Sequence, residues 1–313
     1  MPRRLGLLLE YRSAAACSCL RQDFLLIQGS PSMTESVFHG NSPRLVRDIF
    51  FKQLGQVSPL LWVLNVAAQR FSDEVVNSPS PDKAIRHLLS QCGAGKVYVS
   101  AECIPAAINQ LHRAHIAYVI ARADRLCYEL RHHANVRGES RQNVPKKGDF
   151  LRWTVATLLM NHIPTPTIEF PPSDTTMVSI FPDATLALLD YYRLCRNEEF
   201  HDELGESADS GAVKAFAELP IVKIKAAFGK VPNAPNALTI KDAILCSKAW
   251  QDASTYLCQL LVWEELAECL LRKRFSGLQM TRRRNGAEQF LRVECLSTEH
   301  RIRDMIQRLG WEA

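Results

Sequence analysis

Apolar residues recur at three- and four-residue steps along most of this chain, and that spacing constrains its fold more than any other feature. Over residues 104–133, Ile108, Leu111, His115, Tyr118, Val119, Arg122, Leu126 and Leu130 keep helical register throughout. Such a period predicts one long amphipathic helix. The same pattern opens after Ser42-Pro43, where Leu45, Ile49, Phe50 and Leu54 repeat, followed by Leu60, Leu61 and Leu64. Pro59 interrupts that run and predicts two helices rather than one, because proline removes a backbone donor and clashes with the preceding turn.

The remaining segments read in the same way. Asn77-Ser78-Pro79-Ser80-Pro81 predicts a turn, with a short helix from Asp82 to Leu89 that Gly93-Ala94-Gly95 ends. Lys96–Val99 reads as a brief extended piece. A helix is expected from Phe150 to about His162, then an extended, proline-rich loop with room for an edge strand over 164–183, then a helix from Ala184 to Arg196. Residues 205–238 read as irregular, with short helices at Lys214–Ala217 and Ile221–Phe228. The longest helical signal runs from Leu238 to Phe275, with Thr239 as N-cap and Asp242 in the capping-box position. After Gly277, Asn285-Gly286 predicts a β-hairpin, since this dipeptide suits a two-residue turn, and a last helix covers 298–309. The expected fold class is therefore mainly α, with a small C-terminal hairpin.

Composition agrees with a globular helical chain. Of 313 residues, 47% are hydrophobic, 23% charged and 8% aromatic, and the net charge of +5 permits nucleic-acid binding without requiring it. The ten cysteines are scattered, mostly inside apolar runs, which points to free core thiols of a reducing, cytoplasmic setting. Cys17-Ser18-Cys19 has the wrong gap for a zinc site, and no other metal-ligand constellation or Gly-rich phosphate loop stands out. Neither metal nor cofactor is expected. Arg3-Arg4 followed by Leu5-Gly6-Leu7-Leu8-Leu9 imitates a signal peptide poorly, because Glu10 and Arg12 break the apolar part. Residues 1–32 read instead as an N-terminal extension, with Met33 as an alternative start.

The stretch that carries chemistry is YYRLCRNEEFHDEL, residues 191–204. Metal-free RNA cleavage needs a group that takes the 2′-hydroxyl proton and another that meets charge building on the phosphate. A histidine titrates near neutrality and suits the first task. An arginine fork stays protonated and suits the second. His201 and Arg196 supply these, and Asn197 adds an amide that can orient either the arginine or a phosphate oxygen. On a straight helix, five residues separate side chains by about 140°. The two groups therefore converge only where the helix ends or kinks, or where a second copy of the chain completes the site. A plainer reading is a solvated helix end in which Arg196 pairs with Glu199 or Glu203.

Arg196-Asn197-Glu198-Glu199-Phe200-His201 resembles the R-N-x-x-x-H form of the motif that marks the HEPN superfamily, helical-bundle endoribonucleases of prokaryotic toxin and antiviral systems. An apolar helix before the motif and a long helix after it suit that resemblance, which covers roughly 104–275. It implies a metal-independent ribonuclease with Arg196 and His201 as catalytic pair and Asn197 as helper. It also implies a homodimer with facing motifs, and an antitoxin or sensor subunit as restraint. Two features depart from the pattern. Glu203 stands where one toxin subgroup has tyrosine, and Glu198, Glu199, Asp202 and Glu203 put negative charge near the site. The expected organisation is an extension over 1–41, N-terminal helices over 42–103, the HEPN-like bundle over 104–276, and a hairpin and helix over 277–313.

Two basic runs, Arg272-Lys273-Arg274 and Arg282-Arg283-Arg284, are the best candidates for phosphate contacts, a solvated basic face being the alternative. Arg131-His132-His133 with Arg137 reads either as a second RNA contact or as an exposed helix end. His112 and His115 share a helix face without a third metal ligand, and Trp153, Trp250 and Trp263 read as core anchors. A rival to the nuclease is a non-catalytic HEPN-like scaffold or nucleic-acid-binding subunit, in which the hairpin acts as a wing.

Overall fold

A computed structural model describes residues 42–134, 149–160, 172–200 and 210–312, all within one compact unit, Gly40–Ala313. Among the described residues every regular element is helical. Helix α1 spans Pro43–Val76, α2 Pro81–Gln91, α3 Ile104–Ala134, α4 Phe150–Leu159, α5 Asp174–Ile180 and α6 Asp183–Phe200. Then follow α7 Gly211–Ala217, α8 Ile221–Phe228, α9 Ile240–Gln259, α10 Glu264–Phe275, α11 Met280–Val293 and α12 Glu299–Arg308. No described helix is long and apolar enough to cross a membrane.

The core forms where α1, α3, α6 and α9 meet. Helices α3 and α9 pack against each other, and each packs against both α1 and α6. Phe50, Ile116, Leu188, Tyr191, Tyr192 and Leu245 fill the space between them. Helix α4 lies on α3, and α7 and α8 cover α6. A smaller cluster of Val75, Ile85 and Ile104 ties the far end of α1 to α2 and the start of α3.

Four expectations need correction. Helix α1 is continuous, with Pro59 inside it. The carbonyl that Pro59 leaves without an i+4 donor belongs to Gly55, an exposed residue, so water can satisfy it. Phe50 and Leu54 before the proline and Leu61 after it are all buried, which holds the two halves in line. The proline-rich loop contains helix α5: Ser173 caps it through a hydrogen bond from the Thr176 amide, and Met177 and Phe181 bury its apolar side. The prolines at 171 and 172 precede that helix instead of interrupting it.

The long signal over 238–275 is two helices. Its start is as expected, with Thr239 and Asp242 forming a capping box. It breaks at 260–263, where Arg301 from α12 donates to the carbonyls of Gln259, at 3.2 Å, and of Val262. Those bonds satisfy carbonyls at and just past the end of α9, where helical donors run out.

The predicted hairpin around Asn285-Gly286 is the middle of helix α11. Glycine serves close approach here, not a turn. A Cβ at Gly286 would sit 2.8 Å from Cε1 of Phe275 on α10, so only glycine lets the two helices meet at that contact. The pattern after Gly277 is accordingly helical, with Ala287 and Leu291 buried and Arg284 paired to Glu288 one turn on.

Cysteines 127, 195, 246, 258 and 295 are buried and in no disulfide, as core thiols should be, while Cys92 and Cys103 are exposed. Burial pushes the Cys127, Cys258 and Cys295 thiols up to about 12, which leaves them unreactive. Cys17, Cys19 and the rest of the N-terminal extension lie outside the described residues.

Candidate functional site

Helix α6 turns one face inward through Ala184, Leu188, Tyr191, Tyr192 and Cys195, the 3.6-residue stripe of a packed helix. Beside that stripe runs a polar row, Asp190, Arg193 and Asn197, at steps of three and four, with Arg196 next to it. These side chains border a cleft of about 370 Å³. Asp124 of α3, Asp149 at the start of α4 and Trp250 of α9 line it as well.

The charges in this cleft are only loosely matched. The Arg196 guanidinium lies 3.7 Å from Asp124 Oδ2 and donates at 3.3 Å to Asn197 Oδ1. Arg193 reaches Asp190 at 3.3 Å and Asp149 at 3.8 Å, and its buried Nε has no hydrogen-bond partner. Asp149 is also the N-cap of α4, accepting from the amides of Leu151 and Arg152, with the Arg152 side chain at 3.4 Å. Arg152 bonds more tightly outward, to Asp174 at 2.5 Å and to the Pro172 carbonyl at 2.9 Å. Burial raises the Asp124 carboxyl above its ordinary range, against the opposing pull of Arg196 and Arg131. Burial likewise raises Asp190, with Arg193 opposing. Two carboxyls thus hold their protons more tightly than usual beside an arginine that no carboxylate grips bidentately.

The structure brings Arg196 and Asn197 together at this cleft. His201 lies outside the described residues, as do Asp202 and Glu203, and the side chains of Glu198 and Glu199 are not described. Helix α6 continues past Arg196 to Phe200 without interruption, so the helix end expected between Arg196 and His201 falls no earlier than Phe200. Sequence reading missed Asp124, Asp149, Asp190 and Arg193. The Asp190-x-x-Arg193-x-x-x-Asn197 row on an otherwise apolar helix was the available signal for two of them. Asp124 carried none, being one polar residue among many on α3.

The six basic residues of the C-terminal part do not form one free patch. Arg272 pairs with Glu268 at 2.8 Å and Arg284 with Glu288 at 2.8 Å. The Arg274 guanidinium lies over the rings of Phe275 and Phe290. Arg283 donates to the carbonyls of Ser276 and Leu278, at 2.6 and 2.9 Å, and sits over Trp311. Lys273 and Arg282 are exposed without an ion pair among the described residues. Arg131 is buried over the Phe150 ring, so it is not part of an exposed basic end. His132 and His133 have no described side chains, and Arg137 lies outside the described residues.

His112 and His115 are each 4% exposed, with ring centroids 5.8 Å apart. Burial lowers both imidazoles below the ordinary value, and Asp242 partly offsets this for His112. Among the described residues no group of three or more His, Cys, Asp or Glu side chains could hold a metal ion. Trp250 is buried, whereas Trp153 and Trp263 are only half-buried. No protein-family model, curated protein or solved structure matches the chain.

Proposed function

We propose that the chain is an endoribonuclease of HEPN type that cleaves RNA without a metal ion, acting as a homodimer in a toxin or antiviral role under an antitoxin or sensor subunit. One observation carries the reading: Arg196 and Asn197 stand side by side, half-buried, at the edge of a charged cleft on the bundle helix that leads to His201. Arg196 binds the scissile phosphate through its fork, and Asn197 holds that fork in plane. His201 takes the 2′-hydroxyl proton as the oxygen attacks phosphorus, the P–O5′ bond breaks, the 5′-oxygen takes a proton from water, and the resulting hydroxide recovers the proton held by His201. The chain ends produced are a 2′,3′-cyclic phosphate and a 5′-hydroxyl. At 3.7 Å the contact with Asp124 aims Arg196 without saturating it, so a phosphate can compete for the guanidinium.

The test is full-length protein incubated with RNA in EDTA, with products resolved on a denaturing gel. Wild type cleaves, and Arg196→Ala and His201→Ala each lose about 10²-fold or more, the scale of a lost transition-state donor or proton shuttle. RNA left intact by wild type, or cleaved equally by both variants, rejects the reading.

A second reading is a non-catalytic scaffold or nucleic-acid-binding subunit of a larger assembly. The exposed, unpaired Lys273 and Arg282 favour it. In that case Lys273→Ala with Arg282→Ala removes salt-dependent RNA binding, and His201→Ala changes nothing.

A further inference from the structure

The cleft beside Arg196 holds more polar chemistry than one phosphate uses. Arg193 and Asp190 both line it, and they precede Arg196 on α6 by about 4.5 and 9 Å along the helix axis. The two are loosely held. Arg193 donates to Asp190 Oδ1 at 3.3 Å, and Asp190 hydrogen-bonds to no other group among the described residues. The buried Arg193 Nε lies 3.8 Å from Asp149 and makes no hydrogen bond. The other carboxylates are more committed: Asp149 caps α4, and Asp124 stands beside Arg196. Phe150, Trp250, Ile120 and Leu189 give the rest of the wall aromatic and apolar surface. At about 370 Å³ the cleft falls at the small end of ligand pockets, the size of one nucleoside rather than of a longer strand.

Resting on the reading of Arg196 as the residue that binds the scissile phosphate, we infer that this cleft is a guanine subsite: Asp190 and Arg193 take the base of a nucleotide attached to that phosphate. Guanine alone among the four bases presents two adjacent donors, N1–H and the 2-amino group, which the two oxygens of one carboxylate accept together. Its O6 and N7 are adjacent acceptors, the pair that an arginine fork meets bidentately. Adenine and cytosine offer a carboxylate one amino group beside an acceptor nitrogen that repels it. Uracil offers a single N–H between two carbonyls. Only guanine matches a carboxylate and a guanidinium held side by side. The aromatic wall suits the flat face of the base, since single-stranded bases are held by stacking on such rings. Burial raises the Asp190 carboxyl, and two donors from the base stabilise its ionised form. The reach of about 9 Å along α6 from Arg196 to Asp190 is of the order of the span from a phosphate to the far edge of its base.

Calorimetric titration of full-length protein tests the subsite without requiring cleavage. The probes are guanosine 3′- and 5′-monophosphates, their adenosine, cytidine and uridine counterparts, and inorganic phosphate for the anion alone. A guanosine monophosphate binds at least about tenfold tighter than the other bases and than phosphate. The inosine analogue lacks the 2-amino group and the 7-deazaguanosine analogue lacks N7. Each loses about tenfold with the protein unchanged, the scale of one hydrogen bond to a charged group. Asp190→Asn loses the guanine preference while circular dichroism shows wild-type helix content. In RNA, cut sites cluster beside guanines. Equal affinity for the four bases overturns the subsite, as does failure of every nucleotide to bind, or a guanine preference that Asp190→Asn leaves intact. RNA left whole by a protein that binds guanosine monophosphate selectively rejects the nuclease and leaves the subsite standing. Cleavage without base selectivity does the reverse.

Discussion

Two polar clusters lie between α3 and α6, one reaching α9 and the other the start of α4, and they are built in opposite ways. At the start of α9, Asp242 is 1% exposed and accepts hydrogen bonds from the Tyr192 hydroxyl, from the amide and side chain of Asn233, and from the amide and hydroxyl of Thr239. Around it Asn109 and Arg113 of α3 hold the carbonyl of Pro235, and Tyr191 donates to the Asn233 carbonyl at 2.5 Å. At the other cluster, Asp124, Asp149 and Asp190 face Arg193 and Arg196 across contacts of 3.3 to 3.8 Å, and the buried Arg193 Nε makes no hydrogen bond. The first closes a junction. The second surrounds space. Density of polar residues is therefore a poor guide to a site; what separates the two clusters is that one closes on itself and the other borders a cleft.

The strongest way to break this contrast is Asp242→Asn. The new amide puts donors against donors at Asn233 and Thr239, and several buried groups lose their acceptor together. We expect about 3–5 kcal/mol of lost stability in urea unfolding, the scale of a broken buried network. A loss under about 1 kcal/mol would show that the junction is not a lock. A smaller effect separates two arginines. Arg283→Ala frees two carbonyls and uncovers Trp311, which costs about 1–2 kcal/mol, while Arg196→Ala removes only a long, partly solvated pair and changes stability by less than ~1 kcal/mol. Equal losses from the two would erase the difference between structural and available arginines.

Acid probes the neighbourhood of the junction through its histidines. His112 and His115 have imidazoles lowered by burial, so the unfolded chain takes up protons first as pH falls through about 6.5. Their contribution to stability is complete above that pH and declines on acidification toward the folded values. Urea midpoints measured from pH 7.5 to 5.5 should fall, and His115→Phe should flatten the decline. A midpoint independent of pH in wild type would mean that the two rings are hydrated.

Long, regularly spaced segments were legible in the sequence. The spacing from Ile108 to Leu130 predicts α3 almost to the residue, and Thr239 with Asp242 gives the start of α9 through a local capping box. What failed depended on partners distant in sequence. Gly286 reads as a turn until Phe275 is seen against it, and Pro59 reads as a break until both halves of α1 are seen to be anchored. The split after Gln259 depends on Arg301, more than 40 residues on, filling the freed carbonyls. The site divides along the same line. Arg196 and Asn197 are visible as a motif because they are neighbours, whereas Asp124 joins them only through the packing of α3 on α6.

That packing allows the closest comparison, since the substitution made at Asp242 can be repeated at Asp124. Burial raises the Asp124 carboxyl, so the native state takes up a proton at a higher pH than the unfolded chain does. Its contribution is most favourable below the ordinary carboxylate range and is lost as pH rises through the folded value, because the ionised form is the one that burial penalises. Replacing it with asparagine removes that penalty along with a 3.7 Å ion pair. The two changes oppose each other, and at neutral pH we expect less than ~1 kcal/mol of net effect. The pH slope above the ordinary carboxylate range should also shrink. Cleavage should respond differently if Asp124 aims Arg196: kcat falls in Asp124→Asn while the folded fraction does not. A carboxylate whose loss spares the fold and impairs the reaction belongs to the open cluster. One whose loss unfolds the chain as Asp242→Asn is expected to do would place Asp124 in a second lock, and would leave Arg196 a structural cation.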